Sequence, residues 1–145
     1  MKREQRLRPI HDMAGQTERS FAARLAESER GVLEAEQRHL ELLRYRQEYE
    51  QTFHARASNG APMRTLREQQ IFIARLSEAV HAQQILLERL RSESAATRAQ
   101  WREAATRKQV VGKVIEKART EEAMRQDRQQ QRDTDELSRA ARSRQ

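Results

Sequence analysis

A seven-residue repeat of apolar positions runs through residues 66 to 118 and limits what this chain can fold into. Leu66, Ile73, Val80, Leu87, Ser94, Trp101, Lys108 and Ile115 are seven apart. Three residues after each of them lie Gln69, Leu76, Gln83, Leu90, Thr97, Ala104, Val111 and Ala118. This three-four spacing is the a/d seam of a coiled coil, held over about seven heptads and interrupted by small or polar residues. No proline breaks it. At 1.5 Å per residue the helix it predicts is roughly 80 Å long. Alone, such a helix leaves its apolar stripe in water, so it needs a partner helix. Composition agrees with a two-helix answer. Hydrophobic residues make up 36% of the chain, aromatic residues 4% and charged residues 35%. That is too little apolar material for a multilayer core, yet enough for a seam that uses about two positions in seven.

The partner lies upstream in the same chain. Leu7, Ala14, Phe21, Ser28, Ala35, Leu42 and Tyr49 recur every seven residues, with Ile10 and Thr17 three after the first two. Leu25, Val32, His39 and Phe53 take over as the stripe drifts by one position, as a period between 3.5 and 3.6 allows. Pro9 falls in the first turns of this helix, where proline is tolerated. Ser58, Asn59, Gly60, Ala61 and Pro62 form the one cluster of helix breakers. Asn59 or Gly60 can end the first helix in a left-handed conformation. Thr65 and Glu68 then have the spacing of a capping box for the second.

The expected fold is therefore all-α, one domain over residues 1–145, with two long helices in an antiparallel coiled-coil hairpin. Helix 1 is expected over about residues 5–56, the turn over about 57–64 and helix 2 over about 65–137, followed by a frayed end. Facing residues should have numbers that sum to roughly 119. Helix 1 is expected to run out near the level of Val111 and Gly112. The polar end of helix 2 then overhangs it by some 20 to 25 residues, or about 30 Å. An unpaired polar helix of this kind is a candidate to dock on another protein.

More apolar residues lie near the turn than a seam needs. Phe72, Ala79 and Leu86 flank the second seam, with Ile71 and Ile85 further out. Leu33 and Leu40 lie off the first seam, and Leu43 widens it. Tyr45 and Tyr49 are i, i+4 neighbours, set against Phe72 and Leu76 by the antiparallel register. Such a patch marks an interface.

Catalytic signatures are missing. His11, His39, His54 and His81 form no i, i+4 pair that could hold a metal on a helix face. There is no cysteine and no glycine-rich phosphate loop. No catalytic residue, cofactor or metal is expected, and the chain is not expected to be an enzyme. The net charge of +7 permits nucleic-acid binding, but acidic residues are interleaved with the arginines throughout, so no nucleic-acid partner is expected. No apolar run approaches a membrane span or the core of a signal peptide, so no direct membrane insertion is expected and a soluble intracellular protein is the default.

Four short elements in order, around a turn in the right place, resemble one family. Tyr45-Arg46-Gln47-Glu48-Tyr49 looks like the Tyr-x-x-Glu-Tyr element of the FliJ family of flagellar export proteins. Gln69-Gln70-Ile71-Phe72-Ile73, with Leu76 and Glu78-Ala79-Val80, resembles the start of that family's second helix. Trp101-Arg102-Glu103, followed by a basic stretch with Val111 and Ile115, is similar to its mid-helix segment. Gln130-Gln131-Arg132-Asp133-Thr134-Asp135-Glu136-Leu137 looks like its C-terminal element. Arg67-Glu68 departs from the Asn-Tyr that the family often has before the Gln-Gln pair.

The resemblance implies a non-enzymatic hairpin, similar to the central stalk of rotary ATPases. Its termini and C-terminal overhang would enter the hexameric ring of the export ATPase and promote ring assembly. Its patch near the turn would bind the cytoplasmic domain of the membrane export gate. By motif, Leu42, Tyr45, Tyr49, Phe72, Leu76 and Ala79 would touch that gate. Export chaperones would be further partners. The implied location is the cytoplasm, peripheral at the inner membrane. The corresponding stalk of a virulence-type secretion system, or a generic coiled-coil scaffold or nucleic-acid-associated protein, are the alternative readings.

Overall fold

The computed structural model describes residues 2–144. It contains two helices, α1 (Arg3–Ser58) and α2 (Met63–Ser143), and no strand among the described residues. The fold is all-α, as the heptads require. The chain divides into two compact units. One is Phe21–Gln100, which contains the turn; the other combines the stretch ending at Ser20 with the stretch from Trp101 onward.

The turn follows from its backbone chemistry. Gly60 has φ of 77°, a left-handed conformation that glycine adopts without a Cβ penalty. The Ala61 amide donates to the Arg56 carbonyl at 3.0 Å and the Gly60 amide to the Ala57 carbonyl at 3.3 Å. This pair of bonds is a Schellman stop, which satisfies carbonyls that the end of α1 would otherwise leave bare. A Cβ at Gly60 would meet nothing within 4 Å, so the penalty of a substitution there is purely one of backbone strain. Gly60→Ala is expected to destabilise the hairpin by about 1–2 kcal/mol in thermal or urea unfolding, without loss of helix content.

The expected capping box does not form. The first α-helical bond of α2 runs from the Leu66 amide to the Pro62 carbonyl at 3.2 Å, so Thr65 already lies inside the helix. The Glu68 carboxylate is 3.6 Å from Arg64, one turn back, and is engaged there. Proline at the threshold starts α2 earlier than the Thr65–Glu68 spacing suggests. α1 likewise starts earlier than expected, with Pro9 inside it. Proline in the second turn removes a single amide donor, and the carbonyl it deprives belongs to exposed Gln5. At the far end α2 stays helical to Ser143, beyond the fraying expected after Leu137. Strong helix formers and the absence of Pro and Gly after Gly112 account for that.

In the unit Phe21–Gln100 the core is a thin seam. Leu25, Ala35, Val80 and Leu87 are buried, and the remaining α2 heptad positions from Leu66 to Thr97 are half-buried. Gln83 occupies a seam position and donates its amide to the Ala35 carbonyl at 3.3 Å. A polar side chain satisfied at one layer fixes register where apolar layers alone would permit slippage.

In the other unit Ala104 and Ala118 are buried, with Trp101, Lys108, Val111 and Ile115 half-buried beside them. The Trp101 indole N–H donates to the Glu18 carboxylate at 3.0 Å. Here the α1 stripe differs from expectation. His11 and Glu18 are half-buried in it, whereas Ile10 and Thr17 are exposed. The stripe therefore keeps its three-four spacing from Glu4 to Glu18 instead of drifting after Thr17. The indole donor needs an acceptor when it is partly buried, and Glu18 supplies one. Ile10, Met13 and Thr17 line a shallow groove beside the seam with Ala104, Arg107 and Val111.

Glu4 accepts hydrogen bonds from the Arg119 guanidinium at 2.9 and 3.2 Å. These bonds hold its carboxyl below the usual glutamate value. α1 thus reaches the level of Arg119, not merely that of Val111 and Gly112. The overhang begins correspondingly later: every described residue after Glu122 is exposed.

Candidate partner-binding surface

The two flanks of the seam in the unit Phe21–Gln100 differ in chemistry. On one, Glu29 and Glu36, seven apart, face Arg98 and Arg91, seven apart. Arg91 lies 3.0 Å from Glu36, and Arg98 is bonded to Glu29. The opposite flank carries Tyr45 on α1 and Phe72, Ala79 and Leu86 on α2 at the matching heptad positions. Charge pairing closes the first flank. The second presents apolar and aromatic groups to solvent.

The antiparallel register assembles the aromatic flank. The Tyr49 and Phe72 rings pack across the helices with centroids 4.6 Å apart, tilted by 50°. From that pair, seven residues back along α1 and seven forward along α2 bring Leu42 level with Ala79. The same step of four brings Tyr45 level with Leu76. The residues singled out in the sequence thus occupy adjacent positions on one flank, without an intervening ion pair.

Their exposure sorts them. Leu42, Leu76 and Ala79 are half-buried and belong to the seam and its edge. Tyr45 is 57% exposed, Tyr49 37% and Phe72 42%. Tyr49, expected within the seam, sits at its rim instead, because Phe72 shares the contact. An offset or tilted aromatic pair contributes about 0.5–1.5 kcal/mol beyond its buried area. This pair therefore helps hold the flank together while both residues stay partly exposed.

The other off-seam residues do not join this cluster. Leu33 lies on the ion-paired side, in a shallow groove with Glu29, Val32, Arg91, Ser94 and Arg98. Leu40, seven residues on, continues the same line on α1. Ile71 and Ile85 occupy the outer face of α2, away from the seam. The sequence had suggested one broad patch; helix geometry separates it into distinct faces. The sidedness itself was missed. Its signal was legible, since opposite charges recur at seven-residue spacing at the positions that flank both seams.

Among the described residues no helix is long and apolar enough to cross a membrane. Among the described residues there is no group of three or more His, Cys, Asp or Glu side chains able to hold a metal ion.

Comparisons with curated proteins and with solved structures give no match. A family model described as flagellar FliJ protein matches residues 1–145. That match spans both helices, the Gly60 turn and each of the four elements whose resemblance pointed the same way. The chain belongs to the FliJ family of flagellar export proteins.

Proposed function

We propose that this chain is a non-enzymatic, stalk-like component of the flagellar type III export apparatus that joins two partners. The aromatic flank of Tyr45, Tyr49 and Phe72 binds the cytoplasmic domain of the export gate. Leu42, Leu76 and Ala79 form the apolar floor of that site. The termini and the bare end of α2 enter the export ATPase ring and promote its assembly. Export chaperones are handled by the same molecule, which works in the cytoplasm at the face of the inner membrane.

One observation carries this reading: exposed aromatic side chains are gathered on the flank that lacks ion pairs between the helices. Tyr and Phe in such a setting supply large contact area at low conformational cost, which is the chemistry of interface anchors. The end of α2 supports the second contact. Most helical stability in proteins comes from tertiary packing, which the described residues after Glu122 lack, so a partner that covers them is favoured.

The tail tests the ring contact. Deletion of residues 126 to 145 is expected to leave the thermal transition of the hairpin nearly unchanged. It should weaken binding to the ATPase ring by about tenfold or more, since a charged surface of this length contributes to both encounter and hold. ATP turnover in the presence of the full-length and shortened chains reads the effect. Unchanged stimulation by the shortened chain would remove the tail from the site.

A further inference from the structure

The seam of α2 does not stop where α1 ends. Past Ala118 the same three-four spacing runs through Glu122, Arg125, Gln129, Arg132, Glu136 and Arg139. Apolar residues give way to arginine at one heptad position, every seven residues, and to Glu or Gln at the other. Beyond Glu122 every described residue is exposed. Arg125 lies 3.8 Å from Glu122, and Gln129 donates to Asp133 at 3.2 Å. Arg128, Arg132, Asp135 and Glu136 make no ion pair among the described residues.

We infer that this face pairs with the same face of a second copy, antiparallel, about a two-fold axis between Gln130 and Gln131. In an antiparallel coil each a position faces a d position of the partner helix. With the axis placed there, Arg125 faces Glu136 of the second copy, Gln129 faces Arg132, and Glu122 faces Arg139. On one flank Arg128 faces Asp135. Each of these contacts occurs twice, because a two-fold interface is self-complementary. The aliphatic stems of Arg, Gln and Glu cover one another as the charged ends meet.

Charge selects this arrangement over its neighbours. A parallel pair would set Arg125, Arg132 and Arg139 against their own copies. An antiparallel slip of one heptad in one direction sets Arg128 against Arg142 and Asp135 against itself. A slip in the other sets Arg128 against itself and Glu121 against Asp135. Like charges directly opposed are destabilising, so each alternative carries a penalty that the chosen register avoids. On the far flank Asp133, to which Gln129 already donates, faces Gln126, so no like pair is left in this register. Lys2 and Arg3 approach both Glu122 and Arg125, so the outer contacts, Glu122 with Arg139 and Arg125 with Glu136, form beside the start of α1, whose positive charge also favours Glu136 of the second copy.

An interface of polar layers is weak and strongly screened by salt. The pairing forms at high chain concentration and is exclusive with any other use of the same face. Self-association and ring docking are separable, since the experiment needs no ATPase. Sedimentation equilibrium of the full chain at about 0.3 mM should show reversible dimer in about 20 mM salt and monomer in about 500 mM. Arg125→Glu alone and Glu136→Arg alone should each weaken the dimer by about tenfold, because each sets like charges opposite twice. An equimolar mixture of the two variants should restore it, since each chain then meets its complement. Three results would overturn the inference: a wild-type chain that stays monomeric in low salt; a mixture no better associated than its components; or a monomeric chain whose tail arginines instead take up an acidic polypeptide such as polyglutamate.

Discussion

Leu87→Ala is expected to lower hairpin stability by about 2–4 kcal/mol in urea unfolding followed by circular dichroism. Leu87 is 5% exposed and sits at the middle of the seam in the unit that contains the turn. Truncation removes the transfer energy of the lost methyl groups and leaves a cavity that two helices held at fixed spacing cannot fully close. The higher helix propensity of alanine returns only a few tenths of a kcal/mol. No described residue is buried so deeply that its side chain is almost fully covered, so the hairpin depends on a few partly buried layers. Loss of one layer is then a large fraction of the total. Leu33→Ala is the internal control. Leu33 is 62% exposed, and its truncation should change stability by less than about 0.5 kcal/mol. Equal losses at the two sites would contradict the seam assignment.

Heptad reading succeeded where the residues themselves carry the period. Each α2 position from Leu66 to Ala118 in the two expected sets is buried or half-buried. That includes Ser94, Thr97 and Lys108, which composition alone would have left outside. It worked because a two-stranded coil has one seam, so periodicity and burial are nearly the same quantity. The stop at Gly60 was legible for a similarly local reason: a left-handed residue is needed, and glycine supplies it.

Reading failed where side chains chose among near-equal options. Ile10 and Thr17 look like better seam residues than His11 and Glu18, yet the indole of Trp101 takes Glu18 as its acceptor. Thr65 and Glu68 have capping-box spacing, yet Pro62 starts the helix first and Arg64 engages the carboxylate. The expected cover ends near Val111 and Gly112, yet the Glu4–Arg119 bonds carry it further, and the overhang keeps about its expected length only because α2 also runs on to Ser143. The division of off-seam apolar residues into separate faces needed the flanking positions as well as the seam. Those positions are charged on one side, through Glu29, Glu36, Arg91 and Arg98, and aromatic on the other.

Phe72→Ala should weaken binding of the export gate's cytoplasmic domain by about thirtyfold, the affinity equivalent of about 2 kcal/mol. Phe72 is the cleanest probe of the flank. At 42% exposure it contributes less to the seam than Leu42 or Leu76, which are half-buried and whose truncation would disturb folding too. Its loss removes the ring against which Tyr49 packs, at a stability cost of about 1 kcal/mol from the aromatic pair. Helix content should be unchanged, since alanine is the strongest helix former. ATPase stimulation should also be unchanged, because the proposed ring contact uses other residues.

Calorimetric titration of the gate's cytoplasmic domain into the full chain and into Phe72→Ala tests the central proposal most directly. The wild-type chain should bind saturably and the variant with a roughly thirtyfold weaker constant, while the circular dichroism spectra of the two match. Equal affinities in a folded variant would contradict it and leave the aromatic flank without its proposed partner.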